Sequence, residues 1–354
     1  MSIRVHPWLN ISSLFVATAV SVLCSSAQPF KAGESPADHL PPHITRLTTF
    51  GERADWSHDG KAILFMSKMF GDAMEIDLAT RNIRNLTDHY PHPGYTRALY
   101  LANGDILLTG PESFDPTKTD WARRHCWLYV LDKSLSKPAV PLGRLCSEGP
   151  AVSRKHMHIA WTQWSESTDQ QPPATSKIRE ADIVYENGKP ALKNERTILD
   201  NSALPFPCTL ETQNFRPPDE TELTFSAYNP PGTESDVCSV NLATRQVTNY
   251  THSPNEYDEV EGIYPDGRHV LVECDRQNHL GPPGIDIWKL ALQENGPYER
   301  LTFFSDFPGY KASNPVVSDD GQFFAFQIGL ARNAPGVGHG LFVYDIQKAP
   351  QSAH

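Results

Sequence analysis

Short apolar runs, each closed by turn-forming residues, recur along residues 44–346 and fall into groups of four. The first group covers residues 46–87. One predicted strand ends near Trp56. Asp59-Gly60 supplies the hairpin turn, read as a primed turn because Gly takes positive φ without steric cost. Residues 62–66, Ala-Ile-Leu-Phe-Met, are apolar throughout and short enough for a buried strand. Met74, Ile76 and Leu78 then alternate with Glu75 and Asp77, the period of two expected of a half-buried strand. Asn85-Leu86-Thr87 closes the group.

Five more groups follow. The second has strands at 95–100, 105–108 and 127–131, with a turn at Asn103-Gly104. The third has strands at 151–153, 158–161, 181–185 and 196–199, and a hydrophilic insert at 165–177 read as an exposed loop. The fourth turns at Pro218-Asp219, the fifth at Asp266-Gly267 and the sixth at Asp320-Gly321. The sixth group has three strands, ending at 341–346. Its missing strand is found at the other end of the chain, where residues 44–48 carry the Leu-Thr ending that also closes groups one and five. The pattern therefore predicts an all-β fold: a six-bladed β-propeller of four-stranded blades, closed by the N-terminal strand. Such closure leaves no free edge between first and last blade. No stretch shows sustained helical periodicity.

Trp56-Ser57-His58-Asp59-Gly60-Lys61, Tyr264-Pro265-Asp266-Gly267-Arg268 and Val317-Ser318-Asp319-Asp320-Gly321 each follow a Leu-Thr or its equivalent. They resemble the Trp-Ser-Pro-Asp-Gly-Lys repeat of TolB-type propellers, and the resemblance covers residues 44–346. It implies architecture and leaves activity open, because function lives in sites grafted on a fold. No counterpart is expected for the α/β domain that precedes the propeller of TolB. Prolyl-oligopeptidase relatives add a hydrolase domain, which is not expected among these 354 residues, and no Gly-x-Ser-x-Gly elbow occurs in them. Oligogalacturonate lyases share the repeat type and hold a metal through histidines and a glutamine. His89, His92, Gln277, His279 and His339 are the raw material for such a site, but the ligand pattern does not map onto them residue by residue.

Composition narrows the partners. The 354 residues carry a formal charge of −11, which argues against nucleic acid or an anionic membrane surface as the main partner. Residues 1–27 read as an export signal, with Arg4, an apolar stretch to Cys24 and small residues before Gln28. Residues 28–42 are a polar, Pro-containing linker, 43–348 the propeller and 349–354 a tail. The protein is expected to be secreted or periplasmic, with no membrane span once the signal is removed. Export permits disulfides. Cys126–Cys146 and Cys208–Cys238 are the preferred pairs because each lies within one repeat; spacing alone does not fix connectivity. Asn85 and Asn249 begin glycosylation acceptor sequences.

The loops leading into the inner strands gather around the mouth of a propeller's channel, and here they are polar and aromatic. They are residues 88–97, 146–150, 205–214, 252–261 and 303–314. The candidate ligand-binding residues are His89, His92, Tyr95 and Arg97 from one blade and Glu211, Gln213 and Asn214 from another. Glu259 and Glu261, in an acidic group with Glu256 and Asp258, follow. Asp275, Arg276, Gln277, Tyr310, Lys311 and Asn314 complete the ring. Carboxylates, amides and flat aromatic faces suit a sugar or a peptide. The expected function is binding of a polymer, carbohydrate or protein by an exported monomer that needs no cofactor. The alternative is a lyase on acidic sugars, with Arg97 or Arg276 on the substrate carboxylate.

Overall fold

The computed structural model describes residues 33–165, 175–230, 232–333 and 336–350. The expected export signal lies outside the described residues, as do most of the 165–177 insert and the end of the tail. Twenty-four strands form six four-stranded antiparallel sheets around one channel. Blade 1 is β2 (Glu52–Trp56), β3 (Ala62–Met66), β4 (Ala73–Asp77) and β5 (Ile83–Asn85). Blade 2 is β6 (Arg97–Tyr100), β7 (Ile106–Pro111), β8 (Cys126–Leu131) and β9 (Val140–Cys146). Blade 3 is β10 (Glu148–Val152), β11 (His158–Trp164), β12 (Ser176–Glu186) and β13 (Lys189–Asp200). Blade 4 is β14 (Thr209–Phe215), β15 (Glu222–Asn229), β16 (Glu234–Asn241) and β17 (Val247–Asn249). Blade 5 is β18 (Asp258–Ile263), β19 (His269–Cys274), β20 (Asp286–Ala291) and β21 (Tyr298–Arg300). Blade 6 is β22 (Tyr310–Val317), β23 (Phe323–Leu330) and β24 (Leu341–Asp345), completed by β1 (Ile44–Arg46). There Ile44 faces Tyr344, Thr45 faces Val343 and Arg46 faces Phe342, so the ring closes as the repeats predict.

The repeat motifs are explained by their hydrogen bonds. At the inner hairpin of blade 1, Gly60 N donates to Ser57 O at 2.9 Å, and Asp59 Oδ1 accepts from Lys61 N at 3.1 Å. Ser57 Oγ accepts from Ala62 N at 2.9 Å. Ser318 and Asp320 repeat this in blade 6, accepting from Phe323 N and Gln322 N. The turn differs from the expected primed type: Gly60 has φ +68, whereas Asp59 is not among the residues of positive φ, and a type I′ turn needs both. The Leu-Thr ending is a strand staple. Thr302 Oγ1 accepts from Ile287 N and donates to buried Asp286. Thr251 serves Val237 N and Asp236 in the same way, and Thr87 serves Ala73 N and Asp72. At the closure Thr48 Oγ1 accepts from Leu341 N across the chain termini.

The apolar core lies between blades. Trp56, Ile63 and Phe65 of blade 1 pack on Ala325 and Leu341 of blade 6, and Trp56 Nε1 donates to Val316 O at 3.0 Å. Ala37 and Leu40, within the expected linker, pack on the blade 6 cluster, and the His39 ring stacks on Phe307. Among the described residues one short α-helix, α1 (Thr119–Arg124), interrupts blade 2 between β7 and β8, too short to give the sequence a sustained helical period. Among the described residues no helix is long and apolar enough to cross a membrane.

The disulfide expectation needs correction. Neither expected disulfide is formed: Cys126, Cys146, Cys208, Cys238 and Cys274 are all buried thiols. Cys126 and Cys146 do face each other across β8 and β9, but Cys126 Sγ donates to Ala122 O and Arg123 O, and Cys146 Sγ to Gly149 O. The Asn-x-Thr sequences have a structural reason for their spacing. Asn85 Oδ1 accepts from Thr87 N, and Asn249 Oδ1 from Thr251 N, holding each staple threonine in place.

Candidate functional site

The inner strands begin earlier than the sequence suggested. Glu211, Gln213 and Asn214 lie on β14, Glu259 and Glu261 on β18, Lys311 and Asn314 on β22. Residues 146–150, expected as a loop, are the end of β9 and the start of β10. Glu259 and Glu261 both line the channel, and the β18–β19 register shifts between Val260 and Gly262, so Glu261 sits in a bulge that re-aims its side chain rather than following simple alternation. Glu273 stands directly across from Glu259 in the β18–β19 register.

At the face where the inner strands begin, the channel widens into a cavity of about 960 Å³ lined by Arg53, Arg97, Glu211, Glu259, Glu273 and Lys311, among others. Charge is divided across it. Cations come from three adjoining blades: Arg53 from blade 1, Arg97 with Arg123 and Arg124 of α1 from blade 2, and Lys311 from blade 6. Carboxyls come mostly from blades 4 and 5, as Glu211, Glu259, Glu261 and Glu273, with Glu52 and Asp120 on the cationic side. Arg97 Nη2 lies 3.6 Å from Glu211 Oε1 and 3.8 Å from Glu261 Oε1. Asn314 N donates to Glu273 Oε1 at 2.6 Å, and its Nδ2 to Glu261 Oε1 at 2.8 Å. Tyr228 Oη sits 3.0 Å from Glu211 Oε2 and 2.5 Å from Glu259 Oε1, and Tyr257 Oη donates to the other Glu259 oxygen.

Burial dominates the electrostatics. It holds the Glu259 carboxyl well above its ordinary range, reinforced by the neighbouring charge of Glu261. Burial raises Glu261 too, although Arg97 opposes the shift. Glu273 is raised by burial and then by Glu259, its cross-strand neighbour; like charges in that position repel. The floor of the cavity therefore offers carboxyl groups that exchange protons near neutral pH, beside fixed guanidinium charge.

The opposite end of the channel holds a smaller cavity of about 430 Å³, which meets the first at Arg97, Glu261 and Asn314. It is spanned by Arg154. This side chain leaves blade 3, crosses to Asp319 of blade 6 at 2.9 and 3.1 Å, and donates to Trp56 O of blade 1 at 2.8 Å.

Several candidates sit away from both cavities. His89 Nε2 bonds Lys137 O, and His92 pairs with Asp72 and stacks on buried Tyr95. Asp275 accepts from Tyr257 N and Gly281 N. Arg276 pairs with Glu256 and lies over the Tyr298 ring at 4.2 Å. Gln277 bonds Gly284 O and Trp288 Nε1. Tyr310 packs against the blade 6 cluster. Of the histidines and glutamine named for a metal site, only His339 reaches the large cavity. Conversely, Glu52, Arg53, Arg123, Arg124, Tyr228, Tyr257 and Glu273 line it without having been singled out. Sequence signals exist for two of them: the spacing Tyr257-x-Glu259-x-Glu261 for Tyr257, and a lone carboxylate after the apolar run Val270-Leu271-Val272 for Glu273.

No family model and no curated protein sequence matches the chain. Solved structures match it in fold. The oligogalacturonate lyase of Vibrio parahaemolyticus is 12% identical, with a TM-score of 0.50 over 86% of this chain and 94% of that one. A puromycin-hydrolysing peptidase of Mycobacterium tuberculosis is 14% identical, with a TM-score of 0.53 over 84% of this chain and 43% of that one. TolB from Acinetobacter baumannii is 10% identical, with a TM-score of 0.50 over 85% of this chain and 64% of that one. The chain thus has the six-bladed propeller fold, and TolB and an oligogalacturonate lyase are among its structural neighbours.

Proposed function

We propose that this is an exported propeller that binds an acidic oligosaccharide, or the end of an acidic polysaccharide chain, in the larger channel cavity. One observation carries the reading: cations of blades 6, 1 and 2 face carboxyls of blades 4 and 5 across about 960 Å³. A uronic acid matches both halves. Its carboxylate accepts charge-assisted hydrogen bonds from Arg97, Lys311 or the α1 arginines, and its hydroxyls donate to the glutamates. The likeness to an oligogalacturonate lyase is one of fold and supports the acidic-sugar class only as a precedent.

Titration of the full chain with trigalacturonate and with its methyl ester tests the reading. The acid should bind and the ester should bind at least tenfold more weakly, since a charged hydrogen bond contributes about 1.5–3 kcal/mol. Arg124→Ala, at the rim, should weaken binding of the acid, while Arg276→Ala should leave it unchanged. Equal binding of acid and ester, or loss with Arg276→Ala alone, would overturn it.

A second reading, lyase activity on the same sugars, is favoured by carboxyls held above their usual range beside Arg97. Such a group is a base near neutral pH, and the guanidinium neutralises the substrate carboxylate. Growth of unsaturated-product absorbance on a uronide panel would establish it, and no growth with bound substrate would leave binding alone.

A further inference from the structure

The smaller cavity, of about 430 Å³, is built differently from the wider one. Its wall is largely apolar. Pro150 of β10, Pro217 and Pro218 between β14 and β15, Pro265 between β18 and β19, and Pro315 of β22 all line it. Proline has no N–H, so these positions present ring carbons and no backbone donor.

The charged groups that line this cavity are paired with one another or with the backbone. Arg154 is held by Asp319 and Trp56 O. Asp55 accepts from Tyr100 N at 2.7 Å and lies 3.5 Å from Arg154 Nη1. Glu220 accepts from Ser153 Oγ and Arg154 N, and Lys155 Nζ donates to Pro218 O. Arg97 and Glu261 face each other at 3.8 Å where the two cavities meet. A charged ligand would have to break such pairs, whereas a neutral one leaves them intact.

One polar atom stands apart. Gln213 is 8% exposed and lines this cavity, and its Nε2 has no hydrogen-bond partner among the described residues. A bulge sets its position: in β14 Thr212 faces Phe225 and Asn214 faces Thr224, which leaves Gln213 as the extra residue. Bulges re-aim a side chain out of the strand's alternation and are frequent beside functional sites. A buried N–H without an acceptor is rare, and it costs free energy until an acceptor is supplied. An apolar wall with a few placed polar groups, enclosing more than about 300 Å³, is the usual make-up of a small-molecule site.

We propose that the smaller cavity binds a neutral, mainly apolar small molecule whose carbonyl oxygen accepts from Gln213 Nε2. The site lies at the other end of the channel from the one assigned to an acidic sugar, and its occupancy needs no sugar.

Benzophenone and 1,1-diphenylethylene test the assignment, since they share a shape and differ in a C=O against a C=CH2. Each is titrated into the full chain and followed by ligand-detected NMR. Benzophenone should bind saturably, at one site per chain. Gln213→Met keeps the side-chain length and removes the donor. It should weaken benzophenone about two- to tenfold and leave diphenylethylene unchanged. Melting of the variant checks that it folds. If it does not, irradiation of benzophenone bound to the unaltered chain attaches it to nearby C–H groups, and mass spectrometry should find the label on Phe215, Ile263 or Val316 of the cavity wall. No saturable binding, label confined to the wider cavity or the outer surface, or an equal effect of Gln213→Met on both probes would overturn the assignment. Trigalacturonate titration without benzophenone reads the sugar site separately.

Discussion

Gly60 and Gly267 occupy the same turn position in blades 1 and 5, with φ +68 and +65, yet their surroundings differ. A Cβ at Gly60 would meet nothing within 4 Å, whereas one at Gly267 would lie 1.8 Å from Pro217 O of the neighbouring blade. Gly60→Ala should therefore cost only the left-handed strain, about 1–2 kcal/mol. Gly267→Ala adds a backbone clash and should cost more than about 3 kcal/mol. Chemical denaturation of both variants checks the order; equal losses would contradict it. His58 is a second residue with a readable consequence. Its hydrogen bond to Asp319 raises its pKa above the usual value, against the opposing effect of burial. A histidine with a raised folded-state pKa stabilises fully below its unfolded pKa of about 6.5, and that contribution fades as pH rises through the folded value. His58→Gln should therefore cost most stability below about pH 6 and progressively less above about pH 7. A loss that stays constant across that window would mean that the imidazole acts by shape rather than charge.

Within a blade, the Leu-Thr ending joins the outermost strand to its neighbour. Thr302 Oγ1 accepts from Ile287 N at 2.9 Å and donates to Asp286 Oδ1 at 2.7 Å, where Asp286 is fully buried. Thr302→Val keeps the volume and leaves both groups short of a partner, so it should cost about 2–3 kcal/mol. A loss below about 1 kcal/mol in urea unfolding would show that Ser305 and Arg300 satisfy Asp286 alone. This is also the scale at which the sequence was most readable. Turn glycines, staple threonines and period-two runs each obey a local rule, so blade number and closure could be read directly. The site was less readable because its signal crosses blades. Glu259 and Glu261 stand out by type but read as loop residues, since a strand rich in channel-facing carboxylates lacks a strand's apolar alternation. Glu52 and Glu273 become functional only when the ring brings them to one cavity. His92 and Arg276 looked equally suitable, but a local partner, Asp72 or Glu256, holds each away from the channel.

At the scale of the molecule, closure through β1 and β24 makes the channel a fixed cylinder, and Arg154 braces its narrower end across the ring from blade 3 to blade 6. The wider end is left as the accessible chamber, with its cations gathered on one side and most of its carboxyls on the other. A net charge of −11 disfavours polyanions at long range, so the proposed capture of an acidic sugar would depend on the local cations of blades 6, 1 and 2 and should weaken with salt. The most direct measurement is a crystal structure of the full chain grown with trigalacturonate. The sugar should occupy the wider chamber, its carboxylate within hydrogen-bond reach of Arg97, Lys311 or Arg124 and its hydroxyls on Glu211, Glu259 or Glu261. Sugar bound at the Arg154 end or on an outer blade surface, with the wider chamber holding only water, would contradict the assignment.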